Sequence, residues 1–211
     1  MKALLIACDF DGTVTQRDTL HVIVEAFGDP QMWDSLEPAL HAGEMTVEDA
    51  LTRQFATVRA TSEDVRRVVA ARAPIRRGFV EFVDWARHAG HEVVVLSNGF
   101  RSVIDPVLGD AGLDDLEVVA NDCAFSLDGA AIRWDDRGPR CTACDRPCKR
   151  APLTERRAGR PTVVIGDGIS DRCVAGIADR VFARDYLARD LASHGRPFTH
   201  YDDFDQVRAG L

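Results

Sequence analysis

Three short apolar runs each end in a polar loop that contains glycine. No other feature of the 211-residue chain constrains its fold so much. Leu4-Leu5-Ile6-Ala7-Cys8 runs into Asp9-Phe10-Asp11-Gly12-Thr13. Val93-Val94-Val95-Leu96 runs into Ser97-Asn98-Gly99, and Thr162-Val163-Val164-Ile165 into Gly166-Asp167-Gly168-Ile169-Ser170-Asp171. Apolar runs of this length, closed by turn residues, fit strands buried on both faces of a sheet. In open α/β sheets the ligand site lies beyond the carboxyl ends of the strands, so the three loops are expected to converge.

The first loop carries the sharpest chemistry. Asp9 and Asp11 are two residues apart, so in a strand they point the same way. Two acids delivered together at the end of a buried strand repel each other unless a cation lies between them. Oxygen ligands favour Mg²⁺ or a similar hard ion. Gly12 allows a sharp turn and close approach of a ligand. Alone, the pair also fits a strand running into an Asp-rich turn. Likewise Ser97-Asn98-Gly99 alone fits an ordinary turn, and Gly166 to Asp171 a loop that caps a helix.

Lysine usage adds an independent signal. The chain has two lysines, Lys2 and Lys149, and 24 arginines. A compact ammonium fits a tight site shared by a phosphate and a carboxylate, where a planar guanidinium does not.

Taken in order and spacing, Asp9-Phe10-Asp11-Gly12-Thr13, Ser97-Asn98-Gly99, Lys149 and Gly166-Asp167-Gly168-Ile169-Ser170-Asp171 resemble the four motifs of the haloacid-dehalogenase-like phosphatases. The resemblance covers nearly the whole chain. It implies an α/β fold with a Rossmann-like parallel sheet core and a helical cap inserted after the first strand. Within the family, the Cys-rich segment before Lys149 and the stretch Phe182-Ala183-Arg184-Asp185-Tyr186-Leu187 look most like the enzyme that dephosphorylates the methionine-salvage intermediate 2-hydroxy-3-keto-5-methylthiopentenyl-1-phosphate. Phosphoserine phosphatase is the alternative in the same branch.

The resemblance also implies roles. Asp9 is the expected nucleophile, giving an aspartyl-phosphate. Asp11 is the expected acid and then base, and lends its carbonyl to the metal. Asp9, Asp11, Asp167 and Asp171 are the expected Mg²⁺ site, with Asp171 either completing the metal shell or orienting Lys149. Ser97, Asn98 and Gly99 are expected to hold phosphate oxygens, and Lys149 to stabilise the transferring group. Thr13, Asp18 and Arg53 join Asn98 and Gly99 as expected substrate-binding residues. In phosphoserine phosphatases an arginine reads the serine carboxylate, and by alignment it falls here on Gln54. Arg53 sits one position earlier, which turns a helical side chain by about 100° and weighs against phosphoserine.

Residues 17–76 differ from their surroundings. Leu20 to Phe27 and Gln31 to His41 suggest two helices. Thr46 and Thr61 with Asp49 and Asp64 resemble capping boxes for a third and a fourth, and Pro74 closes the segment. The expected division is a core of 1–16 and 77–211 and a cap of 17–76. Leu127-Asp128-Gly129 signals a hairpin.

Cys141-x-x-Cys144-x-x-x-Cys148 stands beside Lys149. Three thiols suggest structural Zn²⁺ with Cys123 as the fourth ligand, a disulfide, or reduced packed thiols. Cys8 and Cys173 read as small buried apolar residues. A net charge of −8 argues against a nucleic-acid partner. No apolar run is long enough for a membrane helix or a signal peptide, so a cytoplasmic setting is expected. The expected activity is Mg²⁺-dependent hydrolysis of a small phosphorylated metabolite. A non-catalytic metal-binding or Cys-cluster interaction module, and phosphoryl transfer to an acceptor other than water, are the alternatives.

Overall fold

Side chains of the first strand alternate between two apolar layers, as a strand period of two requires. Ile6 and Cys8 pack with Phe79, Phe82, Val95 and Ile165 on one side. Leu5 and Ala7 pack with Val94, Leu96, Val164 and Leu187 on the other. All four β1 residues are buried, which places the strand at the centre of a sheet covered on both faces. The computed structural model describes residues 2–135, 140–145 and 148–211. Its sheet has seven strands, β1 (Leu5–Cys8), β2 (Glu92–Phe100), β3 (Glu117–Ser126), β4 (Gly129–Arg133), β5 (Thr162–Gly166), β6 (Arg180–Ala183) and β7 (Thr199–His200), in the order β4-β3-β2-β1-β5-β6-β7. Neighbours are parallel except β3 and β4, which form the hairpin expected at Leu127-Asp128-Gly129.

Cys8 pairs with Val95 of β2 and with Ile165 of β5. Asp9, Ser97 and Gly166 therefore stand at nearly one level. The sequence predicts that β2 ends at Ser97-Asn98-Gly99; it runs on through them instead, past a register shift after Leu96, to Phe100. The chain first crosses from β1 to β2 on one side and later enters β5 on the other. Loops diverge at such a switch point and leave a crevice.

Four helices lie between β1 and β2: α1 (Thr19–Phe27), α2 (Gln31–His41), α3 (Val47–Phe55) and α4 (Ser62–Arg72). Thr46 caps α3 through the Asp49 amide, and Thr61 and Asp64 form a reciprocal box at α4. The apolar faces of α1, α3 and α4 share a cluster with Phe100, Val103 and Phe125 from beyond the segment. Phe55 meets Phe100 edge-on at 4.8 Å between ring centroids. The two ends of the segment run side by side: Thr15 pairs with Ile75, the Gln16 amide donates to Pro74 O at 2.9 Å, and the Arg76 amide to Val14 O at 2.7 Å. The remaining helices are α5 (Phe79–His88), α6 (Arg101–Asp110), α7 (Arg150–Arg157), α8 (Arg172–Ala175), α9 (Asp185–Ser193) and α10 (Phe204–Gly210). Among the described residues no helix is long and apolar enough to cross a membrane.

Arg76 anchors the first loop from below. Its guanidinium is buried and donates to the carbonyls of Gly12 at 2.6 Å, Thr13 at 2.8 Å and Thr15 at 3.0 Å. These carbonyls belong to a tight turn whose amides cannot reach them, and only a planar fork serves three at once. Replacing Arg76 by Met is expected to lower stability by about 3 kcal/mol, because buried acceptors lose charged donors. Urea denaturation followed by circular dichroism measures it; an unchanged midpoint would show that water replaces the guanidinium at no cost.

Candidate active site

A buried lysine must find anions, and Lys149 finds two. Its Nζ donates to Asp9 Oδ1 at 2.5 Å and to Asp171 Oδ1 at 2.8 Å, and the residue is 1 % exposed. Asp9 is the first residue after β1, Lys149 directly precedes α7, and Asp171 closes the turn after β5. The second Asp171 oxygen accepts the amides of Gly168 at 3.1 Å and Asp167 at 3.3 Å. Its carboxylate folds back against Gly166, where a Cβ would stand 2.6 Å from it. Gly12 is constrained twice: its φ is +79°, and a Cβ there would lie 2.5 Å from Asp167 Oδ2.

Asp11 occupies different surroundings. Thr19 Oγ1 donates to one carboxylate oxygen and Ser97 Oγ to the other at 3.1 Å. The Gly99 amide in turn donates to Ser97 Oγ at 2.8 Å. The two acids of the first loop are thereby separated, one on a cation and one on hydroxyls. Burial, and next the nearby Asp18 carboxylate, push Asp11 up to about 6. That suits a group that must give and take a proton near neutral pH. Burial and Asp171 push Asp9 well above the usual carboxylate range, against the pull of Lys149. Burial and then Asp171 raise Asp167 to about 7, although its bond from Thr13 Oγ1 at 2.7 Å opposes this. For Lys149 burial works against the charge, but the Asp171 and Asp9 carboxylates outweigh it and hold the ammonium above its usual range.

Asp9, Asp167 and Asp171 each offer one oxygen, and these oxygens lie within 4.8 Å of one another. Hard oxygen donors, largely removed from water and carrying more negative charge than one lysine neutralises, fit a hard divalent cation such as Mg²⁺. The Asp11 carboxylate is outside this group, which leaves its carbonyl as the ligand expected from the sequence.

Other expected residues fall in varied places. Thr13 is fully buried, accepts from Tyr201 at 3.4 Å and spends its own proton on Asp167. It supports a carboxylate and does not face an open pocket. Asp18 is exposed and caps α1 through the His21 amide at 2.9 Å. Asn98 lines a cleft of about 700 Å³, walled by Leu40, His41 and Val47 from α2–α3 and by Ser170 opposite. Arg53 is exposed on α3 and is not part of this lining, whereas Gln54 is buried. The expectation of Cys123 beside Cys141, Cys144 and Cys148 is corrected. Cys123 packs with Phe100 and Phe125 in the apolar cluster shared with α1, α3 and α4, and Cys173 of α8 takes the fourth place. Spacing along the chain favoured neither, because the Cys173 contact depends on how α8 packs against the loop before α7. Thr19, Tyr201 and Arg76 also escaped the sequence reading. Each acts across a long sequence separation, or from the first turn of a helix, where no local pattern marks it.

Lys149→Arg is expected to lower kcat about a hundredfold, since a wider cation in this closed space displaces Asp9 by roughly 1 Å. Steady-state kinetics on a phosphate ester, with circular dichroism to check the fold, measures it. Retention of half the wild-type kcat would mean that any cation suffices.

Comparison with known proteins agrees with this geometry. A family model described as haloacid dehalogenase-like hydrolase matches residues 6–176. A 2-hydroxy-3-keto-5-methylthiopentenyl-1-phosphate phosphatase of Geobacillus thermodenitrificans is 31 % identical over 214 residues, covering 96 % of this chain and 94 % of that protein. One of Brevibacillus brevis is 30 % identical over 220 residues, covering 98 % and 94 %. Among solved structures, a phospho-aspartyl intermediate analogue of phosphoserine phosphatase superposes with a TM-score of 0.77 at 18 % identity, over 100 % of both chains. At that identity the likeness concerns the fold. On the match over residues 6–176, and on the relatives that share its full length, the chain belongs to the haloacid dehalogenase-like hydrolase family.

Proposed function

We propose that this hydrolase is a phosphatase that cleaves 2-hydroxy-3-keto-5-methylthiopentenyl-1-phosphate through an aspartyl-phosphate on Asp9. The observation that carries the chemistry is the separation of the two first-loop acids, Asp9 on Lys149 and Asp11 on Thr19 and Ser97. Asp9 Oδ forms the new bond to phosphorus as the ester oxygen leaves. Asp11 gives that oxygen its proton, then takes one from the water that attacks the aspartyl-phosphate. Lys149 keeps Asp9 aligned and offsets charge on the transferring group. Ser97, which exchanges its bond to Asp11, and the amides of Asn98 and Gly99, the latter exchanging its bond to Ser97, donate to phosphoryl oxygens when the ester binds. Asp9, Asp167 and the Asp11 carbonyl would hold Mg²⁺, which would supply further charge neutralisation. The bond from Lys149 to Asp171 supports an orienting role for that acid.

The substrate assignment rests on relatives of that name that share the full length of the chain. Residues 17–76 serve in this reading as a cap that closes the cleft and selects the alcohol portion, through Leu40, His41 and Val47 of its lining. Reduced thiols fit a cytoplasmic setting. The Zn²⁺ expected at Cys141, Cys144 and Cys148 belongs to the same reading, because soft thiolates take Zn²⁺ where hard carboxylates take Mg²⁺.

Phosphate release from the salvage ester, phosphoserine and p-nitrophenyl phosphate tests the assignment. The salvage ester is expected to exceed phosphoserine at least about tenfold in kcat/KM, and Asp9→Asn to lose roughly a thousandfold on every ester. Efficient phosphoserine turnover would replace the substrate, and an active Asp9→Asn would remove the mechanism.

Metal and pH are linked with a definite sign. Asp11 and Asp167 are raised to about 6 and about 7 in the folded chain. Without metal they favour folding below the unfolded carboxylate range, and that contribution is lost as pH rises through about 7. A divalent cation reverses the loss at high pH. Scanning fluorimetry is expected to show a larger Mg²⁺-induced rise in Tm at pH 8 than at pH 5. An equal rise at both values would place Mg²⁺ away from these carboxylates.

A further inference from the structure

Four thiols converge beside the catalytic lysine. The sulfurs of Cys141, Cys144, Cys148 and Cys173 lie within 4.8 Å of one another, and no disulfide joins them. A tetrahedral Zn–S distance of about 2.3 Å sets the sulfurs about 3.8 Å apart, so the cluster needs only a small contraction to close on an ion. Two backbone amides already point at these sulfurs. Ala143 N–H donates to Cys141 Sγ and Arg150 N–H to Cys148 Sγ, both at 3.4 Å and both from two residues downstream. Amide donors stabilise thiolate and not thiol, as outer partners of metal ligands do. Arg150 and Arg172 line the same cleft and offset the excess charge of four thiolates around one Zn²⁺.

The position of the cluster gives it a task. Cys148 is joined directly to Lys149, and Cys173 follows Asp171 by two residues. Residues 140–145 and 148–149 carry no helix or strand, so regular backbone bonding does not hold Lys149 from its N-terminal side. The geometry points to a tetrathiolate Zn²⁺ site, Cys141, Cys144, Cys148 and Cys173, that clamps the loop before α7 to α8 and so positions Lys149 against Asp171 and Asp9. It deepens the reading above by adding the fourth ligand and the consequence for the catalytic lysine. These cysteines are positioning residues; none reaches the reacting atoms. Binding displaces the remaining thiol protons to solvent and involves no redox step.

Metal analysis of the purified chain, produced in zinc-supplemented medium and kept reduced, tests this without any substrate. About one zinc per chain is expected in the wild type and in Cys123→Ala, and less than about a fifth of that in Cys173→Ser. Co²⁺ in place of Zn²⁺ is expected to give the thiolate charge-transfer band and the intense visible bands of a tetrahedral site. In Cys173→Ser, with the fold confirmed by circular dichroism, kcat on p-nitrophenyl phosphate is expected to fall about tenfold at unchanged KM, as for loss of an outer-shell support. A zinc-free wild type with no Co²⁺ bands, native disulfides among the four cysteines, or full zinc in Cys173→Ser would overturn the site. A Cys173→Ser variant without zinc but with full kcat would overturn the positioning role. Zinc at one per chain in a protein that hydrolyses no phosphate ester would instead leave the site standing and remove the proposed activity.

Discussion

The site depends on a buried ammonium shared by two carboxylates. Lys149 is almost fully removed from water, and its charge is tolerable only because Asp9 and Asp171 both touch it. Each of the three comes from a different part of the chain, so their meeting fixes three loops relative to one another. Breaking the set leaves an uncompensated charge in the interior, which costs more than the intact set contributes. The central sheet makes the meeting possible. Register between β1, β2 and β5 brings Asp9, Ser97 and Gly166 to nearly one level, and Gly166 leaves the space into which Asp171 turns back.

Around this set the protein concentrates more negative charge than it neutralises. Asp9, Asp11, Asp167 and Asp171 crowd one end of the sheet, and burial keeps water from screening them. Hydrogen bonds then divide the acids by function. Thr19 and Ser97 hold Asp11 apart, Thr13 and Tyr201 steady Asp167, and the Gly168 amide donates to Asp171. Such an arrangement is unfavourable for the chain alone, and a cation placed among the carboxylates relieves it.

The helical segment of residues 17–76 meets the rest of the molecule through an apolar contact and a paired linker. Phe55 against Phe100 buries aromatic surface, while Thr15 and Ile75 tie the two ends of the segment together. Arg76 links that junction to the loop after β1, since one guanidinium holds the carbonyls of Gly12, Thr13 and Thr15. The base of the segment and the shape of the first loop therefore meet at a single side chain.

Local pattern was sufficient for much of this. The apolar runs before Asp9, Ser97 and Gly166 marked the central strands because full burial leaves no polar alternation. Thr46 and Thr61 marked helix starts because a cap satisfies amides within its own turn. Lys149 stood out because the chain otherwise writes arginine. Tertiary packing alone decided which distant side chains complete each bond. Tyr201 reaches Thr13 across 188 residues of sequence, Arg76 reaches the Gly12 carbonyl across 64, and Cys173 displaces Cys123 beside the other thiols. A sequence records periodicity and neighbours along the chain, whereas a hydrogen bond or a metal site depends on positions within a few ångströms in space. Those positions follow only when helices and sheet have docked.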